Sequence, residues 1–253
     1  MKFEVVVPVL FPHNFGNFFD SVMSNDVLPT RLIVIDNTSG EENFIPKTDR
    51  LKIDVYRSKT GWVNESWNLG MKRASKDADY LGIYNDDIIL NKRFFRRVVE
   101  TFNRPMRYHV GVVCPDTVPC EGTEAKQPKW GKFSRVWMRK REGWCFTMKR
   151  EVRINMPLIP CHLVHQFHGD DWIWYHTKLQ GFSWFKDQGN KIWHLCGESV
   201  RKVDANLNRR IERHNWRIIH DLLEAREFEK IKHSKRVEKC QQSMEQQLMA
   251  QFM

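Results

Sequence analysis

Apolar residues fall along the first hundred positions in short blocks separated by longer amphipathic stretches. Phe3 to Leu10 is a nearly continuous apolar run that includes Pro8, the pattern of a strand buried on both faces. Phe15 to Asn25 predicts the helix that follows it. Leu32 to Ile35 and Leu51 to Tyr56 are further strand-like runs, the first stopped by the turn formers Asp36-Asn37-Thr38-Ser39-Gly40. Asn64 to Ser75, carrying Trp67, Leu69, Met71 and Ala74, suits a helix, and Tyr80 to Tyr84 is a fourth strand running into Asn85-Asp86-Asp87. This alternation predicts an α/β protein with short parallel strands. Ligands of open parallel sheets lie beyond the carboxyl ends of the strands, so Pro8, Asp36 and the pair Asp86/Asp87 should converge on one crevice.

Beyond residue 90 the pattern loosens. Phe94 to Phe102 predicts a helix and Val110 to Cys114 a strand, followed by mixed strands and loops up to Phe133. A helix should run from Asp170 to about Gln180, with acids at its start and Gly181 at its end. Ile192-Trp193-His194 reads as a last short strand. After Ser199 the chain is polar with almost no Gly or Pro, and Ile211, Ile218, Leu222 and Phe228 recur at helical spacing, which suggests a docked helix and then a frayed tail.

Composition narrows the function classes. The 253 residues suffice for one large domain plus a helical tail, and ten Trp with sixteen Phe supply more ring surface than the core needs, so some rings should line a site. The excess of 41 Lys+Arg over 31 Asp+Glu gives a net charge of +10, which favours anionic partners: nucleotides, nucleic acid or acidic lipid. Most of the excess lies between Lys126 and Arg153, where ten basic residues face two acids. Trp130, Phe133, Trp137 and Trp144 are interleaved with these cations, as a groove for a polyanion with stackable bases requires; a solvated basic loop over core rings is an equal reading. Six cysteines without a C-x-x-C pair point to reduced thiols in a cytoplasmic setting, and no run approaches the roughly 20 apolar residues of a membrane span. The N-terminal run is too short and too acidic for a signal peptide.

The sharpest chemical feature is Asn85-Asp86-Asp87 at a strand end. Two adjacent carboxylates repel each other unless a cation compensates them, and such oxygen ligands suit Mg2+ or Mn2+ bridging a diphosphate. Taken alone, the pair reads first as an Asp-rich turn.

Its neighbours change that reading. Val5-Val6-Val7-Pro8, Ile33-Val34-Ile35-Asp36-Asn37, Asn64 through Asn68-Leu69-Gly70 to Ala74, and Asp79-Tyr80 leading into Asn85-Asp86-Asp87 closely resemble the nucleotide-binding half of GT-A-fold glycosyltransferases, in particular the inverting family 2. The resemblance is close over about the first 90 residues and looser to about Ser199. It implies a GT-A (Rossmann-like) mixed sheet flanked by helices over residues 1–199, divided into a nucleotide-sugar half (1–90) and an acceptor half (91–199), with a basic helical extension at 200–253.

The resemblance also implies roles. Asp36 would contact the base or ribose of a nucleoside-diphosphate sugar; Pro8, Asn68, Gly70, Asn85 and Asp86 would line the donor site, and Asp87 would be the principal ligand of Mn2+ or Mg2+. Many members carry an acid where this chain has Asn85, so Asp87 should bear most of the coordination. Gly169-Asp170-Asp171 resembles the family's acidic pair opening a helix, with Asp171 ahead of Asp170 as the general base; on residue type alone both could simply cap the helix. His194 resembles a late histidine that completes the metal site. Gly143 to Val152 resembles the strand flooring the acceptor pocket, where Trp144, Lys149, Arg150 and Trp137 would meet the acceptor. Cys161-His162, His165 and His168 have no zinc spacing and read as loop residues near the site.

The resemblance implies an inverting, metal-dependent hexosyl- or pentosyltransferase whose acceptor is a glycan, the family's usual case; the basic stretch and the lack of a membrane segment suggest a hydroxymethylated base in DNA, as phage enzymes modify, as the other acceptor. The alternative is a non-catalytic nucleic-acid-binding α/β protein with a purely structural acidic tip.

Overall fold

The computed structural model describes residues 1–38, 44–105, 109–119, 133–135, 143–195 and 205–227. Trp130, Trp137 and most of the basic stretch from Lys126 lie outside them, as do Cys120, Cys196, Cys240 and the expected tail. Nine strands and six helices are described: β1 (Phe3–Val9), α1 (Pro12–Met23), β2 (Arg31–Asp36), β3 (Lys52–Arg57), α2 (Val63–Arg73), β4 (Tyr80–Tyr84), β5 (Ile88–Ile89), α3 (Phe94–Asn103), β6 (Val110–Pro119), β7 (Phe133–Arg135), β8 (Cys145–Lys149), α4 (Arg150–Ile154), α5 (Gly169–Leu179), β9 (Ser183–His194) and α6 (Ala205–Glu227).

The strands form one mixed sheet in the order β3-β2-β1-β4-β8-β6-β9-β5, with β7 added on β9. The first four strands are mutually parallel, as their short apolar runs predict. Parallel order ends at β8, which runs antiparallel to both β4 and β6. β6 and β9 are parallel neighbours, and β5 pairs antiparallel with the end of β9.

Every residue of β1 is buried, because it is sandwiched between two helical layers. Val5, Val7 and Val9 face Phe15, Phe18 and Val22 of α1 and Phe94, Phe95 and Val98 of α3, whereas Val6, with Ile33 and Ile83, faces Trp67 and Met71 of α2. The period-two alternation of a pleated strand thus loads both cores at once. The second core continues to Trp172 and Ile173 of α5 and Ile218 and Ile219 of α6.

Several elements differ from the sequence reading. β9 begins nine residues before Ile192, and its polar residues Asp187 and Asn190 are buried because other groups satisfy them: distant Thr101 and Arg97 and the local Gly189 N–H for Asp187, distant Asn91 and the Phe94 carbonyl for Asn190. The segment taken as one strand to Val152 turns at Arg150 into α4. Among the described residues no helix is long and apolar enough to cross a membrane, and Cys114 and Cys145 are buried while Cys161 is half-buried.

Candidate active site

The ends of β1, β2 and β4 meet where the helices leave room. Pairing of β1 with β4 stops at Val6 opposite Ile83, two residues before Pro8, which has no N–H to extend it. The strands part there, and the gap is closed by the tip that follows β4.

Asp86 and Asp87 point their chemistry in different directions. Asp86 is buried and accepts hydrogen bonds from the Leu10 and Phe11 N–H groups at 2.9 and 3.3 Å, fastening the β1–α1 connection to the tip. Burial pushes its carboxyl up to about 6; these two N–H bonds pull it down, and the neighbouring Asp87 charge raises it further. Asp87 is also buried, but its Oδ1 has no hydrogen-bond partner among the described residues, and its Oδ2 lies 3.2 Å from His194 Nε2. An unpaired buried carboxylate oxygen is costly unless a ligand uses it.

The pairing of β5 with β9 brings Asp87 to His194. Ile88 stands opposite His194, and the Leu195 N–H donates to the Asp87 carbonyl at 2.8 Å, so two residues 107 positions apart share one corner. Trp144, just before β8, lies flat on the His194 imidazole, with centroids 4.8 Å apart and planes 12° from parallel. Its indole N–H donates to Thr117 Oγ1 at 3.1 Å, and its carbonyl accepts the Asn85 N–H at 2.9 Å. One face of the ring expected to meet an acceptor is therefore occupied by histidine.

Asp36 ends β2. Its Oδ1 accepts from the N–H and hydroxyl of Thr38, an Asx turn that fixes the carboxylate at the crevice. Asn68 has both ends of its amide engaged with the backbone of Ile159, at 2.7 and 2.9 Å, so it is a clamp on the segment before α5. Asn64 clamps the same segment through the carbonyls of Val164 and Phe167. Gly70 is where α2 touches β1: a Cβ there would sit 2.1 Å from Val6 Cγ1.

At the start of α5 the two acids separate. Asp170 presents its carboxylate to Gly143, where an added Cβ would come within 2.6 Å of Oδ2, beside Trp144. Asp171 instead bonds His168 Nδ1 at 2.6 Å, and His168 Nε2 lies 3.2 Å from the Glu212 carbonyl of α6. The imidazole is thus tied at both ring nitrogens, to the start of α5 and to α6. His168 adopts φ 63°, the single positive φ outside glycine among the described residues, and this left-handed residue turns the chain into the helix. His165 stacks on Trp62 at the head of α2.

Lys149 and Arg150 are not brought to the tip. Lys149 pairs with Tyr80 at the opposite end of β4, and the Arg150 N–H donates to the Asp79 carbonyl. Five residues of strand put them about 16 Å from Asn85. Sequence reasoning missed the clamps Asn64 and Asn68 and the stacking of Trp144 on His194, since each depends on a partner far along the chain.

The family model for glycosyl transferase family 2 matches residues 5–164. No curated protein matches the sequence. Among solved structures, S. aureus TarS superposes with a TM-score of 0.58 at 16% identity over 77% of this chain and 36% of that one. A fragment of S. aureus TarS, residues 1–349, in complex with UDP-GlcNAc gives 0.58 at 14% identity, over 81% of this chain and 62% of the fragment. GalNAc-T7 with UDP, GalNAc and Mn2+ gives 0.59 at 14% identity, over 76% and 43%. The chain thus spans between about a third and two thirds of these structures, and at such identities the likeness is one of fold.

Proposed function

The chain belongs to glycosyl transferase family 2, and from that membership we propose that it transfers a sugar from a nucleoside-diphosphate sugar to an acceptor hydroxyl with inversion. The observation that carries this reading is the buried, unpartnered Asp87 Oδ1 beside His194 at the carboxyl ends of the strands. Asp36 would receive the nucleoside. The structural relatives bound to UDP, to UDP-GlcNAc and to UDP with Mn2+ favour the same class of donor.

A divalent cation fits this corner. Among the described residues no cluster of three or more His, Cys, Asp or Glu side chains is built to hold a metal, so Asp87 and His194 would hold Mn2+ or Mg2+ together with diphosphate oxygens and water. When bound, the cation would offset the charge gathering on the departing diphosphate.

For the base we favour Asp170 over Asp171. Asp170 directs its carboxylate to Gly143, next to Trp144 at the start of β8, whereas that of Asp171 is directed to His168. The acceptor oxygen would bond to the anomeric carbon as the bond from that carbon to the diphosphate oxygen breaks. The acceptor proton passes to Asp170, and the nucleoside diphosphate leaves with the bonding pair.

A glycan hydroxyl is the leading acceptor. A hydroxymethylated DNA base is second, favoured by the exposed Arg209, Arg210, Arg213 and Arg217 on α6. Isothermal titration with UDP and Mn2+ tests the core of the proposal. Metal-dependent UDP binding that disappears in Asp87→Ala supports it, and no such binding would leave the non-catalytic nucleic-acid-binding reading in its place. Intact-mass analysis of glycans and of hydroxymethylated DNA after incubation with a panel of nucleotide sugars separates the acceptors. Gel shifts that weaken with salt accompany the DNA case.

A further inference from the structure

We infer that Trp144 is a positioning residue that sets the imidazole plane of His194 and so completes the two-residue corner with Asp87; the inference rests on the metal-assisted reading above. A ligating histidine is ordinarily oriented by a hydrogen bond to its second ring nitrogen, from a carboxylate, a carbonyl or water. Here the hydrogen bond of His194 runs from Nε2 to Asp87, and Nδ1 has no protein partner among the described residues. Besides that one bond, what fixes the plane of the ring is the near-parallel indole 4.8 Å away.

Trp144 is itself held at three points, one on its ring and two along the backbone. Its indole N–H is tied to Thr117 on β6. Its backbone carbonyl accepts the Asn85 N–H, so any shift of Trp144 moves the tip as well as the histidine. Cys145, next in the chain, is locked opposite Tyr84 in the β4–β8 ladder. Histidine at a strand end keeps its side-chain rotation, so without the stack the register of β5 and β9 fixes only its Cα. Trp144 therefore acts through His194, and the face it shows to histidine is unavailable to an acceptor sugar.

The test uses the full chain, with two readouts. In metal-free protein, the His194 Cε1–H proton resonance, assigned by its loss in His194→Ala, sits in the indole ring current. Trp144→Leu should move it downfield and Trp144→Phe should move it less. With Mn2+ followed by electron paramagnetic resonance of the free ion in the presence of UDP, Trp144→Leu should weaken binding about tenfold, within the 10- to 100-fold range of groups that orient metal ligands. In a His194→Ala background it should add no further loss. Thr117→Val, which removes only the anchor, serves if Trp144→Leu does not fold, and should cost a few-fold while shifting the same resonance. An unmoved resonance in these variants, or an equal loss with and without His194, overturns the assignment. A parent chain that fails to bind Mn2+ overturns the metal reading on which it rests, and the resonance test then stands alone.

Discussion

At the residue scale, the adjacent aspartates of the tip are separated by what each one touches. Asp86 is a buried staple, and its folded pKa of about 6 lies above its ordinary value of 3.8. An acid raised in this way binds its proton more tightly when folded. Its contribution to stability is therefore fullest below about pH 4 and is lost as pH rises through 6, by about 3 kcal/mol in all. Urea titrations in EDTA at a series of pH values should show that loss in the parent chain and a flatter profile in Asp86→Asn; coincident profiles would mean the carboxyl is not perturbed. The pair at α5 divides by the same logic. Asp170→Asn should lower kcat by roughly 10²- to 10⁴-fold with UDP affinity retained, while Asp171→Asn should cost less, since it removes the partner of His168 and leaves the proton acceptor in place. The reverse ranking in single-turnover assays would return the role to Asp171.

At the element scale, the decisive contacts are those by which helices and loops lean on the sheet. Alanine at position 70 would gain about 1 kcal/mol of helix propensity, yet its Cβ would fall 2.1 Å from Val6 on the central strand. Overpacking costs of about 1–3 kcal/mol are typical, so Gly70→Ala should destabilise on balance, measured as a lower urea midpoint. Asn68→Ala strands both backbone groups of Ile159 in the core, at about 1–3 kcal/mol each, and it loosens the segment leading to α5. These contacts explain what the sequence made legible. β1 to β4 and α1 to α3 follow from local runs, and their ends coincide with the expected ones to within a few residues. β9 was visible only at its apolar end, because Asp187 and Asn190 look like loop residues until Arg97, Thr101 and Asn91 arrive from elsewhere. Asn68 was placed correctly in the chain, but the backbone it binds lies 91 residues away.

At the scale of the whole molecule, the corner that holds Asp87 and His194 exists only when the sheet has closed. β5 is two residues long, too short to persist alone, and it stands in the sheet through pairing with the end of β9. The unfolded chain therefore offers no preformed site, and anything bound there draws on the folded state alone. At a hundredfold excess over its dissociation constant, UDP with Mn2+ should add about 2.7 kcal/mol. For a chain of this size each kcal/mol is worth about 2–4 °C, so the melting temperature should rise by about 5–10 °C. Asp87→Ala should abolish the rise and His194→Ala should shrink it, both without a comparable drop in the unliganded melting temperature. A full shift in Asp87→Ala would show that nucleotide and metal meet somewhere other than the end of β4. A shift equally large with UDP and EDTA would keep the nucleotide pocket and remove the cation.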